Sequence, residues 1–233
     1  MLLHFVKLTL AQMPHPTFRK VFFAGMALTL VCLALCLFGL RLMWPDGALT
    51  GWAWLDEWLL GWTAFTFVAV FAVYFLFPPV AMVFMGLMLD KIILAVEARH
   101  YPNKSPVRTV SLGENTIMAI KQGAVVLCVN TVFLIFYIPL FFLSFGTLAA
   151  LLYLLVNGYL IGREYFDMVS IRFMSRRDAR HLYIEHTNKA FSGGAIVAGM
   201  FLIPGINIIT PVFGAALMTH MVHTAMQEEE MGR

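Results

Sequence analysis

Between Lys189 and Glu228 the chain carries no Asp, Glu, Lys or Arg, and its titratable groups there are His220 and His223. Such a stretch belongs in a membrane, yet Ile203-Pro204-Gly205-Ile206-Asn207 breaks it early. Only 14 residues separate Lys189 from Pro204. At 1.5 Å per residue that arm is about 21 Å long, short of a hydrocarbon core of roughly 30 Å. The pattern predicts a re-entrant hairpin over 190–227 that enters, turns at the Pro-Gly-Asn and leaves on the same side. Non-helical backbone at that depth survives only when buried in protein or facing water, because lipid cannot satisfy its N–H and C=O groups. Helices that end inside a membrane are also where transporters bind ions. A passive anchor needs neither feature.

With 61% hydrophobic and 12% charged residues in 233, the chain reads as a polytopic membrane protein. Nothing divides it, so a single membrane domain over 1–233 is expected. The net charge of +3 is explained by orientation and is no nucleic-acid signal. Of 16 Lys and Arg residues, only Arg41 lies in the connection 41–62, which holds or borders all five tryptophans. Lys7, Arg19 and Lys20 precede the first span, Lys91 to Lys121 fill the middle polar region, and Arg163 to Lys189 fill the next. The positive-inside rule then puts both termini in the cytoplasm, and the tryptophans form an interfacial belt on the other side.

The spans follow from these boundaries. Residues 21–42 and 59–89 are each long enough to cross, the second expected to tilt, to kink near Pro78-Pro79 or to project into the cytoplasm. The apolar runs 122–138 and 140–162 form a pair whose basic flanks require an even number of passes, either two full crossings or a second re-entrant hairpin, and the hairpin over 122–162 is the favoured reading. Ser111-Leu112-Gly113-Glu114 and Ser175-Arg176-Arg177-Asp178 fit capping boxes that open helices. The Arg-rich second helix and the amphipathic stretch Leu2–Met13 are expected at the membrane surface. That first stretch lacks the basic start and cleavage site of a signal peptide.

Chemical motifs are sparse. Cys32 and Cys36 share a helix face without histidine or carboxylate company, and Cys128 stands alone, so small apolar filling explains them better than metal. His220 and His223, three apart, read as interfacial histidines more readily than as a metal pair. No nucleophile–base pair, Walker loop, dinucleotide fingerprint or zinc pattern occurs, which argues against an enzyme and implies no cofactor. Gly158 and Gly162 form a GxxxG that permits close helix approach. Arg163, at the end of that helix, is expected to clasp Glu97-Ala98-Arg99 of the other polar helix, with anion contact as its alternative role.

Asn157-Gly158-Tyr159-Leu160-Ile161-Gly162-Arg163-Glu164-Tyr165-Phe166, a basic helix, then Ile203-Pro204-Gly205-Ile206-Asn207, Pro211-Val212 and Gly214-Ala215-Ala216 resemble the CysZ and etoposide-induced membrane-protein family. Pro14 to Lys20 and Leu94 to Arg99 extend the resemblance over nearly the whole chain. It implies an all-α integral membrane protein with two long transmembrane helices, two partly penetrating helical hairpins and amphipathic cytoplasmic helices. Bacterial members are inner-membrane sulfate permeases that supply cysteine synthesis, so sulfate uptake at the bacterial inner membrane is the implied function. Arg19 matches the family's arginine by position, although His15-Pro16-Thr17-Phe18 replaces the usual glycine-bearing turn. The first hairpin tip is expected at Ile138-Pro139-Leu140-Phe141-Phe142.

A dianion needs several oriented donors: helix N-termini, guanidinium forks and hydroxyls. Thr17, Arg19 and Lys20 are the expected anion-binding cluster, joined by Asn207 at the start of the last half-helix. Glu97, Arg99, Asn157, Arg163 and Glu164 are the expected structural or anion-contact set. With no charge deep in a span, movement is expected to be channel-like or facilitated. The expected partners are an inorganic oxyanion and the bilayer, with monomer and homo-oligomer both compatible. The competing reading is a non-transporting scaffold whose hairpin wedges shape the bilayer.

Overall fold

The computed structural model describes residues 2–44, 50–102 and 112–232, and among these every regular element is an α-helix. In chain order they are α1 (Leu2–Gln12), α2 (Pro16–Met43), α3 (Ala53–Leu60), α4 (Trp62–Gly86), α5 (Leu89–His100), α6 (Leu112–Ser144), α7 (Thr147–Ser170), α8 (Arg176–Glu185), α9 (Thr187–Phe201) and α10 (Ile206–Gly232). Among the described residues three stretches are long and apolar enough to cross a membrane: Pro16–Met43, Ala53–Val73 and Ile206–Met231. The chain divides into two compact units, Phe22–Gly86 and Met1–Val21 with Leu87–Arg233.

In the Phe22–Gly86 unit, α2 and α4 meet where Gly25 leaves room for Met85; a Cβ there would lie 2.8 Å from the Met85 Cγ. The expected helix over 59–89 is interrupted at both ends. Gly61 separates α3 from α4, and its N–H donates to the Glu57 carbonyl at 2.9 Å. A Cβ at 61 would run into that same carbonyl oxygen. At the other end α4 stops at Gly86, the chain turns through 87–88, and α5 is a separate helix. The tryptophan region is held by a few local contacts. The Trp44 indole N–H donates to the Leu60 carbonyl at 2.7 Å, Arg41 stacks over Trp62, and Trp52, Trp54, Trp58 and Trp62 are exposed.

In the other unit, α9 and α10 form an antiparallel hairpin whose tip is Leu202–Gly205, with Gly205 at φ +84°. Only glycine takes that conformation without cost. The two charges that bound the uncharged stretch, Lys189 and Glu228, form an ion pair that closes the hairpin's base, with His186 3.9 Å from the same carboxylate. The bases of the two helices therefore lie together at one end of the hairpin. α10 is the centre of the unit, packed by α1, α5, α7 and α9, and 83% of its most apolar stretch is buried in protein. α1 therefore does more than lie along a surface: Phe5, Thr9 and Gln12 are buried as it packs on α10.

The α6–α7 hairpin corrects the expected tip. α6 runs on through Pro139 to Ser144, and the reversal comes at Phe145 and Gly146, both at positive φ. Proline lacks the N–H for one helical bond but its fixed φ suits the helix. With no glycine at 140–142, the chain turns only where Gly146 supplies one. The Gly146 N–H donates to the Phe141 carbonyl at 2.9 Å, the six-to-one bond that locks a helix C-terminus. The uncharged part of the incoming arm, 122–144, is thereby lengthened to 23 residues, about 34 Å.

Asn157 on α7 and Asn130 on α6 exchange amide hydrogen bonds, both 2.9 Å, and the Tyr137 hydroxyl donates to Asn130. Gly158 and Gly162 hold α9 against α7, where a Cβ on Gly194 would strike the Gly158 carbonyl and the Gly162 N–H. The GxxxG is thus a packing seam. α8 opens as read: the Ser175 hydroxyl accepts from the Asp178 N–H at 3.2 Å and donates to its carboxylate at 2.6 Å. Ser111 of the other capping box lies outside the described residues.

Candidate functional site

α2 begins at Pro16, the helical position where a missing N–H costs nothing. The His15 Nδ1 accepts the Thr17 N–H at 3.3 Å and the His15 carbonyl accepts that of Arg19 at 3.2 Å. The amides of this turn are therefore largely engaged, and any anion here is met by side chains. Phe18 and Val21 are buried anchors, while Arg19 and Lys20 are exposed, with no ion pair or side-chain hydrogen bond among the described residues. Asn207 stands at the start of α10, but its N–H donates to the Ile203 carbonyl at 3.1 Å. It therefore offers its side chain and no free amide of its own. No hydrogen bond or ion pair among the described residues joins Asn207 to the Thr17–Lys20 cluster.

The expected clasp between Arg163 and Glu97 is replaced by another. Glu97 lies on the buried face of α5 with Leu89, Ile92, Ile93 and Val96, and is 4% exposed. Its cation is Arg172, 7% exposed, in the turn after α7. The Arg172 Nη1 donates to the Asp90 Oδ1 at 3.1 Å and its Nη2 lies 3.6 Å from the Glu97 Oε2. Arg172 is better placed than Arg163 because the turn at 171–174 carries it towards α5. Arg163, half exposed, lies 3.9 Å from Asp167 one turn along its own helix. Arg99 is exposed.

His220 and His223 face neither lipid nor solvent. Both are fully buried on α10. The Tyr101 hydroxyl shares a 3.1 Å hydrogen bond with the His220 Nδ1, its direction set by the imidazole tautomer. The Tyr101 ring stacks on His223 at 4.1 Å, the His223 Nε2 is 3.8 Å from the Glu97 Oε1, and His100 packs edge-on to His220. Burial holds the His100 imidazole below its ordinary value, Arg99 adding to the effect. Burial likewise pushes the Tyr101 phenol up to about 12 against a hydrogen bond to Thr224. Both Glu97 oxygens and both His223 ring nitrogens lack hydrogen-bond partners among the described residues. The signals for this polar core were a carboxylate at an apolar-face position of α5 and two ionisable rings in an apolar helix. No group of three or more metal-ligating side chains forms among the described residues.

Arg163 instead borders a cleft of about 240 Å³ between α7 and α8, where Tyr159, Asp167, Arg176, Arg180 and Tyr183 also line the wall. Burial raises the Asp167 carboxyl, and Arg163, Arg176 and Arg180 oppose that rise, so all three guanidinium groups act on one carboxylate. Glu164, next to Arg163, is pushed by burial from 4.5 up to about 7. Asn157 exchanges amide hydrogen bonds with Asn130 and so ties α7 to α6.

The family model described as sulfate transporter CysZ/etoposide-induced protein 2.4 matches residues 6–211. The chain belongs to that family. No individual curated protein matches it significantly. Membership in the CysZ/etoposide-induced family agrees with an all-helical membrane protein of transporter type. The match takes in the start of α2, the polar core up to Arg172, the cleft and the tip of the last hairpin.

Proposed function

We propose that this protein is an inner-membrane anion permease that admits sulfate for cysteine synthesis by channel-like or facilitated movement, with both termini in the cytoplasm. Membership in the sulfate-transporter family carries this reading, since the match spans residues 6–211. Thr17, Arg19 and Lys20 are the proposed anion-capturing residues. Two exposed cations beside a hydroxyl at a helix start suit a tetrahedral dianion, which a guanidinium can grip with two parallel hydrogen bonds. Asn207 would add an amide side chain at the hairpin tip. The proposed depth of that tip is within the bilayer, entered from the cytoplasmic side.

The test is equilibrium binding of labelled sulfate to detergent-purified protein. Arg19→Ala is expected to weaken binding at least tenfold without changing expression, because an exposed arginine carries little packing. Normal binding by Arg19→Ala, with loss in a folded Arg163→Ala protein, would move the site to the α7–α8 cleft. The scaffold reading is favoured by the exposed apolar tips, where Phe145 is 98% exposed and Leu202 and Ile203 also project. It predicts no sulfate binding at all.

A further inference from the structure

We propose that the α7–α8 cleft holds the phosphate headgroup of an anionic phospholipid, whose acyl chains lie along the exposed apolar face of α7. Two independent observations carry this. The cleft brings Arg163, Arg176 and Arg180 around one carboxylate, Asp167. Its volume of about 240 Å³ is some eight times the ~30 Å³ share of a water molecule, enough for a phosphate with its glycerol. Tyr159 and Tyr183, edge to face at 6.5 Å, line the same wall, and phenols are suited to headgroup level, one end apolar and the other polar.

The second observation separates a lipid from a free oxyanion. Leu148, Leu151, Leu155 and Tyr159 are all exposed, and their spacing of three, four and four puts them on one face of α7. That stripe climbs from the hairpin tip and ends at Arg163, the first charge after the apolar run. Ile184 of α8, exposed beside the cleft, continues it. A cationic pocket at the head of an uninterrupted apolar stripe matches an amphiphile with a negative head and a hydrocarbon tail. A soluble oxyanion would engage the arginines alone, whereas a bound lipid engages both the arginines and the stripe. The site stands apart from the proposed sulfate cluster on α2, and lipid retention can be read in protein that moves no anion.

Native mass spectrometry of the full-length protein in neutral detergent tests it, with phosphatidylglycerol and phosphatidylcholine as probes. Each basic side chain near a charged lipid surface is worth about 1 kcal/mol, so Arg176→Ala/Arg180→Ala is expected to weaken phosphatidylglycerol binding roughly thirtyfold. Phosphatidylcholine binding should hardly change. Arg177→Ala, on the same helix but outside the cleft, should stay within twofold of wild type. Both sets of arginines are exposed, so the variants should fold. Equal retention of phosphatidylglycerol by wild type and the double variant would overturn the proposal, as would an equal loss in Arg177→Ala. Displacement of the lipid by glycerol 3-phosphate or sulfate at matching concentration would also overturn it, and would identify a free-oxyanion pocket.

Discussion

Replacing Arg172 with alanine should be among the most damaging single changes to the polar core, and the structure says by how much. Arg172 is 7% exposed and holds two carboxylates, Asp90 at 3.1 Å and Glu97 at 3.6 Å. Asp90 is partly exposed and can turn to solvent, but Glu97 is 4% exposed. Its remaining charged-capable neighbour is His223 at 3.8 Å, itself buried. Breaking a buried pair from one side leaves an uncompensated charge and costs about 3–5 kcal/mol. For a chain of this size each kcal/mol shifts the melting temperature by about 2–4 °C, so a fall of roughly 6–20 °C is expected. The exposed pair Arg163–Asp167 should contribute only about 0–1 kcal/mol, so Arg163→Ala should barely move the transition. Thermal scanning in detergent, followed by size-exclusion recovery of monodisperse protein, measures both. Arg172→Met combined with Glu97→Gln removes both charges and should recover most of the loss. An Arg172→Ala transition within about 2 °C of wild type, or a larger fall in Arg163→Ala, would refute the assignment of Arg172 as the partner of Glu97.

Glu164 predicts a pH dependence. Its folded value of about 7 lies above the ordinary 4.5, so the native state binds the proton more tightly and stability falls as pH rises through that window. Glu164→Gln should therefore raise the melting temperature at pH 8 and change it little at pH 4; a larger gain at pH 4 would reverse the sign. Gly194→Ala places a methyl against the Gly158 carbonyl and the Gly162 N–H and should cost about 1–3 kcal/mol by overpacking. An unchanged denaturation midpoint would show that α7 and α9 have room to part. Ile203→Cys, in an otherwise cysteine-free background, should resist impermeant thiol reagents added outside the cell. Labelling from outside would mean that α9 and α10 cross the membrane and are not re-entrant.

The last hairpin was legible because its limits are local. Lys189 and Glu228 mark the polar ends and prove to be partners, and Gly205 is the residue the reversal needs. The Ser175 cap and the GxxxG seam were visible for the same reason. Pro139 misled, since a proline within a helix can be absorbed by neighbouring structure, whereas a reversal needs positive φ, and the nearest glycine was Gly146. The buried face of α5 could be read from its apolar spacing, and Glu97 stood out on it. Its partner could not be read, because Arg163 and Arg172 are both basic residues flanking the same apolar helix. Only the packing of the 171–174 turn distinguishes them. The burial of His220 and His223 has no local signal either, because it comes from the four helices packed around α10. Convergence of Arg163 with Arg176 and Arg180 likewise depends on how α8 folds back on α7.

Uptake of labelled sulfate by the purified protein in sealed liposomes tests the central proposal most directly. The expected result is saturable uptake above protein-free vesicles, competed by other tetrahedral oxyanions and lost in Arg19→Ala. Uptake indistinguishable from protein-free vesicles, by protein shown to be folded and inserted, would contradict it and leave a membrane scaffold as the better description.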